Sequence, residues 1–450
     1  MSLGVVLVAI VVLVLLVAGA KLHPFLAFLV VSIGMALALG VPPNAVPAVV
    51  QKGLGGILGS LTTVIVVGAM LGKLVVESGA AQRIATALVA RTGVARIGWA
   101  MAATGFIVGV PLFYSVGFVL VVPLIFAVSG RYGLPAVGVG LPALAALSVA
   151  HGLLPPHPSP TGLVAQFGAD LGLTLLYGTV IAIPALVLAG PVYARFVKSV
   201  PARPLPGLEA TLLPEDRLPG LWTSLLTALL PAVLLIAATV VQIMSPQTMN
   251  EKMVAWPENR VGPLLVFFSH PDVVMLVTLA VATVTLGLAR GRSLANVMAI
   301  YTAALVDVGP ILLVIGGSGP FKEVLTATGV DKEIAKQLQG FALDPLVLAW
   351  VVTVSIRVCV GSATVAGLTA AGILAPMVAA PDSGIDPNLM VLAVGSGSLA
   401  ASHVNDAGFW LFKEYFNASI RDTLKCWTVM ETIVAVVGLA GTLVLSRLLG

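Results

Sequence analysis

Four short stretches of this chain place hydroxyl, amide, imidazole or guanidinium groups among glycines and prolines in otherwise apolar surroundings. They are Gly109 to Gly117 (GVPLFYSVG), His151 to Thr161 (HGLLPPHPSPT), Arg357 to Gly367 (RVCVGSATVAG) and Gly395 to Gly408 (GSGSLAASHVNDAG). Together they offer N–H and O–H donors for a carboxylate and paired donors and acceptors for hydroxyls, the needs of a small hydroxylated acid. The candidate contacts are Tyr114, Ser115, His157, Ser159, Thr161, Arg357, Ser362, Thr364, Ser398, His403 and Asn405. Arg357 stands alone in a long apolar stretch, and a charge at bilayer depth costs about 2.5–3.5 kcal/mol on insertion scales. It needs a partner. That partner is either the carboxylate of a bound solute or a structural one, an acid or backbone carbonyls, unless the side chain snorkels to the interface.

Proton transfer has its own candidates. Asp406, beside Asn405, is the first; the competing reading is a cap on a helix that starts at Ala407. His157 and His403 are imidazoles suited to exchanging protons, or else structural groups that fix tight turns. His151 lies close to the same segment but has no counterpart later in the chain, so it ranks below them. Asp307, within an apolar run ahead of Gly316 to Pro320, is either structural or linked to the ion. His23 and His270, next to prolines, read as interfacial turn residues. No Walker-type phosphate loop, H-E-x-x-H or Gly-x-Ser-x-Gly elbow occurs, which disfavours an ATP-driven pump. Ser398 or Ser402 with His403 leaves a membrane-embedded hydrolase as an alternative of another class. Nothing resembles a channel's selectivity filter, and no cofactor or metal is indicated.

These segments are embedded in a chain built for lipid. Of its 450 residues 59% are hydrophobic and 9% charged, against roughly a quarter charged in a soluble domain. No water-soluble fold hides so much apolar surface. The formal charge of +4 comes from residues scattered through short connections, which reads as a topology signal and not as a nucleic-acid surface. Apolar runs near the ~20 residues a membrane helix needs recur along the whole length, from Leu3–Ala20 to Trp427–Leu445. The first lacks a basic leader and is followed directly by another span, so it reads as a first transmembrane helix and not a signal peptide. Ile97–Ser129 and Leu346–Ala380 exceed one crossing and carry Gly and Pro mid-run. Such breaks survive at membrane depth only around a cavity. The expected fold is an all-α polytopic membrane protein of about 12–14 segments, with interrupted helices and re-entrant hairpins. Cys359 and Cys426 lie in or beside apolar runs and read as packing residues.

A proline-rich linker, Lys198 to Gly220, divides residues 1–197 from 221–450. Across it, Lys73–Ala85 (KLVVESGAAQRIA) matches Lys322–Ala335 (KEVLTATGVDKEIA), and His157–Val164 (HPSPTGLV) matches His403–Trp410 (HVNDAGFW), at concordant offsets of 246–250 residues. The chain reads as two copies of one unit. The loop after the first match holds Arg83, Arg91 and Arg96, a charge of +3. Its counterpart, with Asp331, Lys332, Glu333, Lys336 and Asp344, sums to −1. Positive loops stay in the cytoplasm, so the two copies are expected to be inverted, with the solute held between them near the midplane.

At GSATVAG (Gly361–Gly367), SHVNDAGFWLFKEYF (Ser402–Phe416) and HGLLPPHPSPT (His151–Thr161), with GKLHPFLAFLV near the start, the sequence resembles the gluconate permease family over essentially its full length. The resemblance implies a multi-pass carrier of the bacterial inner membrane that moves gluconate or a related aldonate with protons. It also implies membership of the wider ion transporter superfamily of inverted-repeat, often dimeric carriers, with an elevator-like alternating-access movement. Partners would be the sugar acid, protons, membrane lipid and a second copy of the chain, with no nucleic acid. Other small carboxylates (D-serine, glycerate or a hexuronate) and Na⁺ coupling stay open as alternatives. The family's pattern carries an acid where this chain has Ser115 and a glutamine where it has Val360. That departure removes one possible proton relay and puts weight on Asp406, Asp307 and the histidines.

Overall fold

Helices that are apolar on every side have no face to offer water, so they lie in a protein interior or in lipid. The computed structural model describes residues 2–110, 114–203, 213–244, 264, 267–330, 333, 343–380, 383–404 and 406–449, and among them every regular element is helical. The first half comprises α1 (Ser2–Val14), α2 (Pro24–Ala38), α3 (Val46–Glu77), α4 (Ala80–Thr92), α5 (Ile97–Gly109), α6 (Tyr114–Tyr132), α7 (Ala136–Leu153), α8 (Pro158–Phe167) and α9 (Leu171–Val197). After the linker come α10 (Leu221–Met244), α11 (Pro271–Arg290), α12 (Leu294–Thr328), α13 (Pro345–Val360), α14 (Ala363–Ala379), α15 (Pro387–Gly397), α16 (Ala407–Tyr415) and α17 (Ile420–Leu449).

Local chemistry sets these boundaries. Proline at the first helical positions opens α2, α8, α11, α13 and α15, where its missing N–H costs nothing. Side-chain caps precede many of them, among them Asp170, Ser293, Asp344 and Asp386. Among the described residues, six helical stretches are long and apolar enough to cross a bilayer, with α7 and α8 counted as one. The two arms of α3, bent by 44°, form a seventh, and six shorter apolar helices accompany them. Large apolar side chains such as Leu7, Phe196, Trp222 and Val306 stand fully outward, where lipid is the solvent.

Helix starts recur with the period seen in the sequence. Pro24 and Pro271, Val46 and Leu294, Ile97 and Pro345, Pro158 and Ala407, and Leu171 and Ile420 are separated by 247–249 residues. Even the entry turns repeat: His23 Nδ1 accepts from Phe25 N at 3.3 Å and His270 Nδ1 from Asp272 N at 3.4 Å, both on exposed turns. The second over-long apolar run is broken at Gly361–Ser362, while in the first one helix ends at Gly109 and the next begins at Tyr114.

Two features hold the architecture. Helices α7 and α15 are buried along almost their whole length and form its centre. They touch where a Cβ on Gly395 would fall 2.3 Å from the Gly152 carbonyl oxygen, so only glycine permits the crossing. Helices α3 and α12 run antiparallel at similarly close range. A Cβ on Gly319 would meet the Gly53 carbonyl oxygen at 2.2 Å.

Candidate functional site: a cavity where helix ends meet

Gly361, at φ 81°, ends α13 in the left-handed conformation that glycine adopts without strain. The stop leaves Arg357 in the last turn, where the carbonyl end of a helix favours a cation. Ser362 then caps α14, its Oγ accepting from Val365 N at 3.4 Å. Facing it, Asp406 caps α16 through Oδ1, which accepts from Gly408 N at 3.2 Å. One helix C-terminus therefore meets two N-termini, and a guanidinium and a carboxylate each sit at the end that suits their charge.

These two charges pair. Arg357 Nη2 donates to Asp406 Oδ2 at 2.5 Å, with Arg357 2% exposed and Asp406 18%. The same oxygen accepts from Ser402 Oγ, which in turn accepts from Trp427 Nε1 at 2.7 Å. Asp406 is thus fixed in place from two sides. Arg357 is not saturated: Nε and Nη1 are buried with no hydrogen-bond partner. A buried unpaired donor on a charged group costs a few kcal/mol, which makes those two N–H groups a vacancy for an acceptor.

Around this pair lies a cavity of about 360 Å³, inside the usual size of small-molecule sites (~300–1,000 Å³). Its wall includes Tyr114, Ser148, His151, Ser362, Thr364, Trp427 and Glu431, with Val360, Leu399 and Leu411 as apolar parts. Several polar atoms here lack partners: Tyr114 Oη, His151 Nδ1 and Glu431 Oε2. Ser148 Oγ donates to Glu431 Oε1 at 2.5 Å. The Tyr114 ring packs on His151 and on Trp427, each at 5.8 Å between centroids. A small polyhydroxylated anion finds here a cation, hydroxyls, an imidazole and flat apolar faces within one enclosure.

Of the residues singled out in the sequence, Tyr114, Arg357, Ser362, Thr364 and Asp406 come together on this wall. His157 sits behind His151, ring centroids 5.9 Å apart, and its Nε2 donates to the Gly109 carbonyl at 2.8 Å. His403 donates likewise to the Val358 carbonyl at 3.1 Å and is off the wall. Ser159 and Thr161 are buried on α8 with unpartnered hydroxyls, away from this cavity. Ser398 Oγ donates to the Gly395 carbonyl at 2.7 Å. Asp307 is 41% exposed and bonded to Lys73 at 2.9 Å. Asn405 and the side chain of Ser115 lie outside the described residues. The hydrolase alternative loses its geometry, because Ser398 and Ser402 donate to groups other than His403.

Glu431, Ser148 and Trp427 were not among the sequence candidates, and His151 ranked low. For Glu431 the signal was present. It is a lone acid in the apolar run Trp427–Leu445, the same pattern that drew attention to Arg357.

The chain matches the GntP family permease profile over residues 1–448. It is 43% identical over 451 residues to the high-affinity gluconate transporter of Escherichia coli strain K12, covering 100% of both chains. It is 40% identical over 438 residues to the Gnt-II system L-idonate transporter of the same strain, covering 97% of each. Among solved structures its fold is similar to that of the YdaH transporter of Alcanivorax borkumensis. The TM-score is 0.64 over 95% of this chain and 98% of that one, at 15% identity, a likeness of fold alone.

Proposed function

Because the chain belongs to the GntP family of permeases, and is a multi-pass transporter of the bacterial inner membrane and not an enzyme, we propose that it takes up gluconate or a related aldonate together with a proton. The observation that carries this reading is Arg357, a buried guanidinium on a cavity wall with two N–H groups unsatisfied. A solute carboxylate supplies a charged acceptor for one of these nitrogens and a hydroxyl of the polyol chain an acceptor for the other, because Nε–H and Nη1 lie on opposite sides of the Nε–Cζ bond and diverge. Tyr114, Ser362 and Thr364 offer hydroxyls to the polyol chain, and the start of α14 adds its positive end. Relatives named for gluconate and for L-idonate favour sugar acids over D-serine or glycerate.

Alternating access follows from the same arrangement. The loop charges argue that the two halves are inverted, and the helix breaks between them are where irregular backbone can line a cavity. Solute binds at the breaks, and movement of one half against the other changes the side from which the cavity opens.

The test is uptake of labelled D-gluconate by purified protein in proteoliposomes under an imposed inward proton gradient, repeated with the gradient collapsed. Accumulation that needs the gradient and is competed by unlabelled gluconate or L-idonate, but not by D-serine, is the expected result. Accumulation driven by Na⁺ alone would remove the proton. Competition by D-serine alone would remove the aldonate.

A further inference from the structure

Glu431 has no part in holding the anion as described above, yet it is 2% exposed and lies on the same cavity wall. Its Oε1 accepts from Ser148, while Oε2 is buried with no partner. A bare carboxylate in such a place costs several kcal/mol unless a proton or a cation compensates it. Among the described residues, the Lys or Arg on the same cavity wall is Arg357, and its Nη2 is committed to Asp406. A proton on Oε2 removes that charge and turns the oxygen from a bare acceptor into an O–H group.

We propose that Glu431 Oε2 is the binding site of the coupling proton, and that its occupancy decides whether the cavity admits the anion. This rests on the proton-coupled reading above. The step is simple in its balance: an O–H bond forms at Oε2 with a proton from the outer solution and breaks toward the inner one, returning the carboxylate. With the proton bound, the cavity holds Arg357 positive and Asp406 negative, and an entering monoanion adds one negative charge. Without it, the anion also meets a second carboxylate across a poorly screened space. Proton and anion therefore raise each other's affinity by one common factor, as linkage requires, with one proton carried per anion.

Other titratable groups near Glu431 are accounted for. His151 approaches from α7, Tyr114 from the start of α6, Arg357 from α13, and Asp406 from ahead of α16. Helices α9 and α15 also pack on α17, but their acids, Asp170 and Asp386, cap the helix starts. Tyr193 of α9 donates to the carbonyl of Lys425, whose own side chain is exposed on α17.

Glu431→Gln keeps the shape and the acceptor for Ser148 but cannot exchange a proton. In proteoliposomes this variant should still exchange internal for external gluconate while losing gradient-driven accumulation. The apparent KM for exchange should rise with pH in the wild type, approaching about tenfold per pH unit for a single coupled proton. It should be flat in the variant. A merely structural role for Glu431 would leave that slope intact. Accumulation by Glu431→Gln with the wild-type pH dependence overturns the proposal, as does a slope that survives there and vanishes in His151→Gln. Failure of the gluconate reading is separable: the wild type would then not exchange gluconate at all. Infrared difference spectra of the protein in lipid still test Glu431, through a protonated-carboxyl band that titrates in the wild type and is missing in the glutamine variant. The same band persisting in that variant also sinks the idea.

Discussion

In both halves of the molecule a histidine that follows a broken helix donates Nε2 to a carbonyl at the end of an earlier one: His157 to Gly109 at 2.8 Å, His403 to Val358 at 3.1 Å. The two turns are built alike, 48 and 45 residues after the carbonyls they satisfy. Their surroundings are not alike. His157 is 3% exposed and packs on His151, whereas His403 is only partly buried. At the helix-start offset of 248–249 Arg357 corresponds to the apolar neighbourhood of Val108 and Gly109, and in the match that pairs the two histidines Asp406 corresponds to Pro160. The first half thus supplies the neutral wall, with Tyr114, Ser148 and His151, and the second half supplies the charges. What the halves share positions the breaks. What they do not share is the chemistry.

The sharpest way to break that contrast is to remove the charge. Arg357→Ala should lower gluconate uptake by a hundredfold or more, since two charge-assisted hydrogen bonds to the solute, one of them to its carboxylate, are lost at about 1.5–3 kcal/mol each. Arg357→Lys should restore little, because a compact ammonium cannot hold Asp406 and at the same time donate from the separate directions of Nε and Nη1. Uptake measured against the amount of inserted protein decides it, and wild-type rates in the alanine variant would take Arg357 out of the site. Asp406→Asn acts on the same pair from the other side. It leaves a buried guanidinium without its counter-charge, a change that costs about 3–5 kcal/mol in closed interiors and toward the lower end here, since Asp406 is 18% exposed. Thermal unfolding in detergent should register it as a lower midpoint than that of Ser402→Ala, which removes a donor and no charge.

A second contrast is between the histidines. His157→Ala strands the Gly109 carbonyl in a buried place, at about 1–3 kcal/mol. His403→Ala should cost less, because His403 is only partly buried whereas His157 is enclosed. Both are read as shifts in the unfolding midpoint. Equal shifts would mean that the repeat is energetically symmetric and that burial at His157 adds nothing.

The sequence made this division partly legible. Composition and span length dictated helices in lipid, and the glycine and proline content of Ile97–Ser129 and Leu346–Ala380 marked where they break. Arg357 and Asp406 were each visible as polar residues in apolar company, 49 positions apart; that one serves the other is a fact of the fold, because nothing local brings α13 beside the start of α16. Glu431 was equally visible and went unused. It lies outside the segments with turn chemistry, on a continuous helix, and reaches the cavity only because α17 packs against α7 and α13. His151 was discounted for lacking a repeat partner. Yet His151 lines the cavity, and the matched histidines His157 and His403 do not.

The smallest effect is expected at Asp307, whose position in an apolar run made it a candidate for the ion. Lys73 and Lys322 occupy matched places in the two halves, yet Lys73 reaches Asp307 at 2.9 Å while Lys322 donates to the Gln166 carbonyl at 2.5 Å. The Lys73–Asp307 pair links α3 to α12 with its side chains 24% and 41% exposed. Neither partner lines the cavity, so the pair does not meet the solute. Asp307→Asn should therefore lower gluconate uptake far less than Arg357→Ala does, and leave the pH slope of its KM as in the wild type. A flattened slope in Asp307→Asn would place proton exchange on the α3–α12 scaffold, and the separation between the helices that hold the structure and the charges that work in the cavity would fail.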